Sequence, residues 1–419
     1  MDTEGFIGIR EAAGMAAASY TFDAETLLAR GWRDACAQLG PTVACGLNPG
    51  ADEKTRDDFH AVLKALDHRR SLRRNITSSV RQLRSGSGVK SMTLVRPGPD
   101  GRLLFCVVIM GSVQLDDWLA NFDMVSENGM HRGFLRRALT FEELEPDLTF
   151  PQTAKELGLD RLSLRDVIER CRLPGSPYRI CVTGHSLGAA VMQVYVHHLL
   201  TVRGVAKENL LGVGFAPPSV ATADAVARPE DWPIRHIINT DDVIPRTGAQ
   251  VHLGQCLSFE PDMAMRTACY RYPDTDEAID ARREMRPVFD GLTDTGSCLC
   301  FGLALLELIA DLPPKTVLPF LGRLKRTWAP LQLVIEAGDS QADRFNRHLQ
   351  RRAASAYRSL LGERPDSTLI ARFYRQLRTA VDRIGLQPAI TAVGQLAAAP
   401  HCMGDVYTRI ADRIEEEEG

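Results

Sequence analysis

The segment Gly184-His185-Ser186-Leu187-Gly188 sets a serine between two glycines, after the apolar run Ile180-Cys181-Val182-Thr183 and before the helix-opening stretch Leu187-Gly188-Ala189-Ala190-Val191-Met192. A serine on such a strand-to-helix turn suits acyl transfer. The turn projects Oγ above a sheet and aims the first amide of the following helix, here Leu187 N–H, at a developing oxyanion. It also strains the serine backbone and leaves no room for side chains two positions before and after it, a need that Gly184 and Gly188 meet. A bare Gly-x-Ser-x-Gly recurs by chance, so the flanking strand and helix carry the reading. His185 is expected to point away from the hydroxyl and act as a packing residue.

A nucleophilic serine needs a base within hydrogen-bond reach and an acid to hold that base in its productive tautomer, in the chain order Ser, Asp, His. Asp241 and Asp242 follow the strand signal Ile234 to Ile238 and precede Val243-Ile244-Pro245, and the residues by themselves scarcely separate them. His252, His348 and His401 all lie downstream, and order alone does not choose among them. This chemistry requires no metal and no organic cofactor. Cys298-Leu299-Cys300 is too close-spaced and isolated to be a metal site.

Positioning these groups calls for alternating strands and helices. Strand signals at Ser91 to Val95 and Leu103 to Met110 flank the turn Pro97-Gly98-Pro99-Asp100-Gly101. A helix over Leu162 to Leu173, a strand over Tyr178 to Thr183, a helix over Leu187 to Val202, strands at Leu210 to Phe215 and Ile234 to Ile238, and a last short strand over His252 to Phe259 follow. Apolar strands separated by helices predict an α/β class with a mostly parallel sheet covered on both faces. Ahead of it, residues 5–40 and Asp52 to Leu83 read as helical, the latter ending in a basic run, Arg69 to Arg84. From about residue 265 the pattern turns helical. The expected organisation is an N-terminal helical region packed on the core (1–89), an α/β core (90–264), a helical insertion or cap (265–394) and a C-terminal segment (395–419).

The motifs, in order, resemble those of the class 3, fungal-lipase-like lipases, nearest the sn-1 diacylglycerol lipase branch. Gly111-Ser112-Val113-Gln114-Leu115-Asp116-Asp117-Trp118-Leu119-Ala120 resembles the family's oxyanion strand end leading into a Trp-bearing lid, His131-Arg132-Gly133-Phe134 its His-x-Gly-Phe segment, and Gly214-Phe215-Ala216-Pro217-Pro218 the strand end after the nucleophile helix. Met110 stands where the family has Arg. The resemblance covers residues 90–260 and 395–410 and implies an α/β-hydrolase fold. It selects Asp242, from the Asp-x-Val-Pro-like Asp242-Val243-Ile244-Pro245, and His401, before a final helix, as partners of Ser186, with Ser112 joining Leu187 in the oxyanion hole. It also implies a lid over 113–124, in which Leu115, Trp118, Leu119 and Phe122 form an apolar face; by spacing alone that segment serves equally as a helix packed on the core.

The expected activity is serine-dependent hydrolysis of lipid esters, di- or triacylglycerol, the alternatives being phospholipase A1-type activity and a catalytically inactive lipase-fold scaffold. The chain has 419 residues, 44% hydrophobic and 25% charged, with a formal net charge of −3, which gives no general attraction to nucleic acid. The acidic start Met1-Asp2-Thr3-Glu4 does not read as a secretory signal, and no uncharged stretch approaches the roughly 18 apolar residues of a membrane span. A cytoplasmic or peripheral-membrane location is expected, with export by a route that leaves no N-terminal mark as the alternative. Two features offer a membrane-facing reading: the largely apolar run Leu299 to Leu321, and Asp339 to Gly385, where ten arginines face five acids, a local balance of +5 suited to anionic membrane, though a solvated face with intrahelical pairs is the commoner explanation of such a run.

Overall fold

The computed structural model describes residues 6–21, 33–34, 91–98, 100–111, 126–145, 159, 162–312, 355, 357–358, 361–362 and 364–418. In chain order its main elements are α1 (Ile9–Thr21), β1 (Arg33–Asp34), β2 (Ser91–Pro97), β3 (Leu103–Ile109), β4 (Ser126–Glu127), β5 (Met130–His131), α2 (Arg132–Leu144), α3 (Leu164–Arg170), β6 (Tyr178–His185), α4 (Leu187–Thr201), β7 (Leu210–Phe215), β8 (Ile234–Asn239) and β9 (Gln255–Phe259). Then come α5 (Met263–Cys269), α6 (Asp276–Phe289), α7 (Thr295–Asp311), α8 (Ser367–Ile384), α9 (Leu386–Ala398), a π-helical turn (Met403–Tyr407) and α10 (Thr408–Glu418).

Seven strands form one sheet in the order β1-β2-β3-β6-β7-β8-β9. Pairing is antiparallel from β1 to β3 and parallel from β3 to β9. The central strands are apolar on both sides because both faces are covered. Along β3, Phe105, Val107 and Ile109 join the core under α2, α3 and α4, while Leu104, Cys106 and Val108 join the opposite core, made with α1 and α10. The chain ends meet on that second face, where Arg10 pairs with Asp412 at 2.6 Å. With the nucleophile turn between β6 and α4 and a helical segment between β9 and the C-terminal helix, this is an α/β-hydrolase fold with a large helical insertion.

Three details differ from the sequence expectations. Arg33 and Asp34, inside a stretch that reads as helix, pair antiparallel with Val95 and Leu94, so an available strand edge overrides local spacing. The last strand begins only at Gln255, because Val251 bridges Ala221 and Gly254, at φ 104°, turns the chain first. The apolar run beginning at Leu299 supplies the insertion's own core as far as it is described: Cys300, Leu303, Ala304 and Leu308 are buried, and Cys300, Ala304 and Leu308 pack in one cluster with Met285, Phe289 and Phe373. Val243, beside Asp242, belongs to the same cluster and ties the insertion to the end of β8.

Candidate active site

The turn after β6 is built around backbone strain. Ser186 sits at φ 57°, ψ −127°, with its amide bonded to the Phe215 carbonyl at 2.9 Å. Gly184 and Gly188 are dictated by proximity. A Cβ on Gly184 would lie 2.7 Å from both the Gly188 carbonyl carbon and the Ile109 oxygen, and one on Gly188 would collide with the Ile109 oxygen and lie 2.8 Å from the Met110 carbonyl carbon. Backbone atoms cannot yield cheaply, so glycine alone lets α4 start against the end of β3. Leu187 is the first residue of α4, where amides lack helical acceptors, leaving its N–H free for an external oxygen.

Three side chains from distant parts of the chain converge here. His401 Nε2 lies 2.8 Å from Ser186 Oγ, and His401 Nδ1 lies 2.7 Å from Asp242 Oδ2. Asp242 is fully buried, yet each carboxylate oxygen has donors besides the imidazole: Ile244 N–H to Oδ1 at 2.9 Å and the Tyr407 hydroxyl to Oδ2 at 2.8 Å. With Oδ2 accepting from Nδ1–H, Nε2 is left free to accept the serine proton. The rival carboxylate points the other way. Asp241 binds Arg266 at 2.6 and 3.0 Å and the Tyr270 hydroxyl at 2.8 Å. Burial raises its carboxyl pKa, but these two partners outweigh that effect and hold it below the usual carboxylate range. Of the other downstream histidines, His252 bonds the Pro217 carbonyl at 2.9 Å, and His348 lies outside the described residues. Ser112 and the lid residues Leu115, Trp118, Leu119 and Phe122 also lie outside them.

Positioning residues that sequence reasoning did not single out surround this series. Tyr407 and Val406 both reach the Cys402 carbonyl, at 3.2 and 3.1 Å, and the resulting π turn swings the tyrosine ring under Asp242. Asn239, at the end of β8, donates its backbone N–H to the Tyr407 oxygen at 3.2 Å and its side-chain amide to the Pro400 carbonyl at 3.0 Å, clamping the strand to the residue before His401. The only local hint of either role is a polar residue in a segment that otherwise reads as core. As expected, His185 serves packing rather than the Ser186 hydroxyl. Its Nε2 is 2.9 Å from the His401 carbonyl, so Nε2 carries the proton and Nδ1 accepts the Tyr20 hydroxyl at 2.9 Å. Burial drives its pKa well below the ordinary range, with the neighbouring His401 adding to the effect, so it stays neutral and backs the His401 loop.

Two predictions follow from these contacts. Tyr407→Phe removes a donor to the carboxylate and strands the Asn239 N–H, and it is expected to lower kcat for a soluble ester by about 10- to 100-fold, the kinetic equivalent of a hydrogen bond to a charged group. Equal kcat in Tyr407→Phe and the parent would deny the tyrosine any part in holding Asp242. The second concerns stability. His185 and His236 are buried, and burial depresses both pKa values below the ordinary 6.5, that of His236 to about 3. The unfolded chain therefore takes up protons below pH 6.5 that the folded chain refuses. Their stabilisation is complete above that pH and declines as pH falls toward 3, by up to about 1.4 kcal/mol per pH unit for each imidazole. Thermal unfolding should give a lower midpoint at pH 5.0 than at 7.5, and His236→Gln should narrow the gap.

A serine, an imidazole and a buried carboxylate thus stand in hydrogen-bonded series at the strand ends of a doubly covered sheet, on an α/β-hydrolase fold. Residues 106–252 match the family model described as lipase (class 3), a match that supports a place in that family. Among solved structures, the Rhizomucor miehei lipase propeptide complex is similar at 16% identity, covering 57% of this chain and 61% of that one with a TM-score of 0.31. Lipase II from Rhizopus niveus is similar at 15% identity, with 57% and 72% covered and a TM-score of 0.31. Lip2 lipase from Yarrowia lipolytica is similar at 20%, with 40% and 61% covered and a TM-score of 0.26. The chain thus spans less than two thirds of the first of these relatives. No curated protein matches it.

Proposed function

We propose that the protein hydrolyses carboxylic ester bonds of acylglycerols, di- or triacylglycerol, with Ser186 as nucleophile, His401 as base and Asp242 as the acid that orients it. The observation that carries the reading is the unbroken series from Ser186 Oγ through His401 to Asp242, at 2.8 and 2.7 Å. His401 Nε2 takes the hydroxyl proton as Oγ attacks the ester carbonyl, and Asp242 stabilises the imidazolium. The oxyanion rests on Leu187 N–H and Ser112, each donor supplying about 3 kcal/mol. Collapse expels the alcohol with the proton from His401. Water, activated by the same imidazole, then releases the acid and regenerates Ser186.

We also propose a lid over residues 113–124, with Leu115, Trp118, Leu119 and Phe122 toward the acyl groove, and residues 265–394 as a cap. Insertion between acid and base is the feature that favours the sn-1 diacylglycerol lipase branch. No helix among the described residues is long and apolar enough to cross a membrane. Contact with anionic lipid is proposed through the Arg-rich segment. Of its described arginines, Arg378 and Arg383 pair with Asp382 and Glu284, while Arg372 lies over Phe373.

The test is a comparison of dioleoylglycerol, trioleoylglycerol and dioleoylphosphatidylcholine emulsions under one set of conditions. Faster release of fatty acid from an acylglycerol is expected. Faster release from phosphatidylcholine would move the assignment to phospholipase A1, and no release from any lipid or p-nitrophenyl ester would leave a binding scaffold.

A further inference from the structure

A cavity of about 750 Å³ opens beside the catalytic strip, between the end of β8, α5, α6 and the turn before His401. Its wall includes Asp241 and Pro400, the chain neighbours of Asp242 and His401, yet none of Ser186, Asp242 or His401 lines it. The volume falls in the range of small-molecule sites. Three guanidinium groups reach it, those of Arg246, Arg266 and Arg286, against two carboxylates. Both acids are already satisfied: Asp241 by Arg266 and Tyr270, and Asp290 by Arg286 Nε at 3.0 Å. Arg246 is anchored on the Leu292 carbonyl at 2.7 Å and on that of Thr240, which fixes its charge at the cavity without neutralising it.

Among the described residues one positive charge, that of Arg246, is thus left over beside the planar Arg266 and Arg286 groups, a set suited to a phosphate. Thr240 and Thr293 add polar lining, and among the described residues the apolar wall is Phe289, Leu396 and Pro400 beside the tyrosine rings, too little for a long acyl chain. We propose that this cavity binds a small phosphate-bearing molecule, with its phosphate at the arginine forks and its organic part on Tyr272, Phe289 and Leu396. The same chemistry is offered by a soluble phosphate monoester and by a phosphomonoester lipid headgroup.

The probes are sn-glycerol 3-phosphate and inorganic phosphate, titrated calorimetrically into the full-length protein at constant ionic strength, and phosphatidylcholine vesicles containing one-fifth phosphatidic acid, read by co-sedimentation. Arg286→Gln should weaken binding about tenfold, the loss of one charged bidentate contact, and Asp290→Asn, which removes a competing acid from the rim, should tighten it about two- to fivefold. Arg283→Gln, on the same helix and paired with Asp280, should change nothing. Arg286-dependent binding of the soluble probes assigns a free phosphate ester, and Arg286-dependent binding of vesicles alone assigns a headgroup. No saturable binding of any probe, or binding indifferent to both Arg286→Gln and Asp290→Asn, overturns the site. These readouts need no ester hydrolysis, so they stand or fall separately from the proposed activity.

Discussion

Ser186→Ala is expected to lower kcat for p-nitrophenyl butyrate by about 10^4-fold or more, with the thermal midpoint essentially unchanged. Oγ is the only atom removed. The elbow keeps its conformation because it is imposed by the Ser186 N–H bond to Phe215 and by the close approach of Gly188 to β3, neither of which involves the hydroxyl. Groups that act as a unit do not lose activity additively, so Ser186→Ala/His401→Ala should be within a few-fold of Ser186→Ala alone. Parent-like turnover in Ser186→Ala would remove the serine from the chemistry. A double variant that multiplied two large losses would show that His401 acts on some other group.

Asp242→Asn carries the second large effect, an expected fall of about 10^4 in kcat at neutral pH. Ile244 N–H and the Tyr407 hydroxyl both donate to the carboxylate, and an amide in its place must turn its own N–H₂ toward one of its neighbours. With Oδ1 kept on Ile244 N–H, the N–H₂ faces His401 Nδ1, drives the proton onto Nε2 and points a donor at Ser186. The side chain remains nearly isosteric, so the loss reads tautomer rather than packing. Asp241→Asn is the control one residue away. Its carboxylate serves Arg266 and Tyr270 in a part-exposed ion pair, where such pairs contribute at most about 1 kcal/mol, so kcat should stay within about fivefold of the parent. If the two variants exchanged these outcomes, the assignment of acid would pass to Asp241.

The contrast between these neighbours marks where local sequence stops informing. Both are aspartates in one turn after one strand, and successive residues project to different sides, so only knowledge of what lies on each side separates them. Arg266 and Tyr270 occupy one side, His401 and Tyr407 the other, and these partners come from sequence separations of 25 to 165 residues. Arg33 and Asp34 give the same lesson for secondary structure, because a β edge supplied by Leu94 and Val95 decided their conformation. The apolar run from Leu299 shows it for surfaces, since membrane-facing and core-facing residues share a composition.

Features controlled by short-range sterics and periodicity were legible in the residues alone. The parallel strands and α4 follow from apolar runs of the right length between breakers, and the nucleophile turn follows from Gly184 and Gly188, whose missing Cβ atoms are a local requirement readable without coordinates. Tertiary structure decided the rest. It brought His401 across 215 residues to Ser186, turned Asp242 rather than Asp241 toward it, and recruited Tyr407, Asn239 and His185 as supports. Hydrogen-bond reach is a property of space, and a buried polar side chain reveals its partner only once the chain has closed around both.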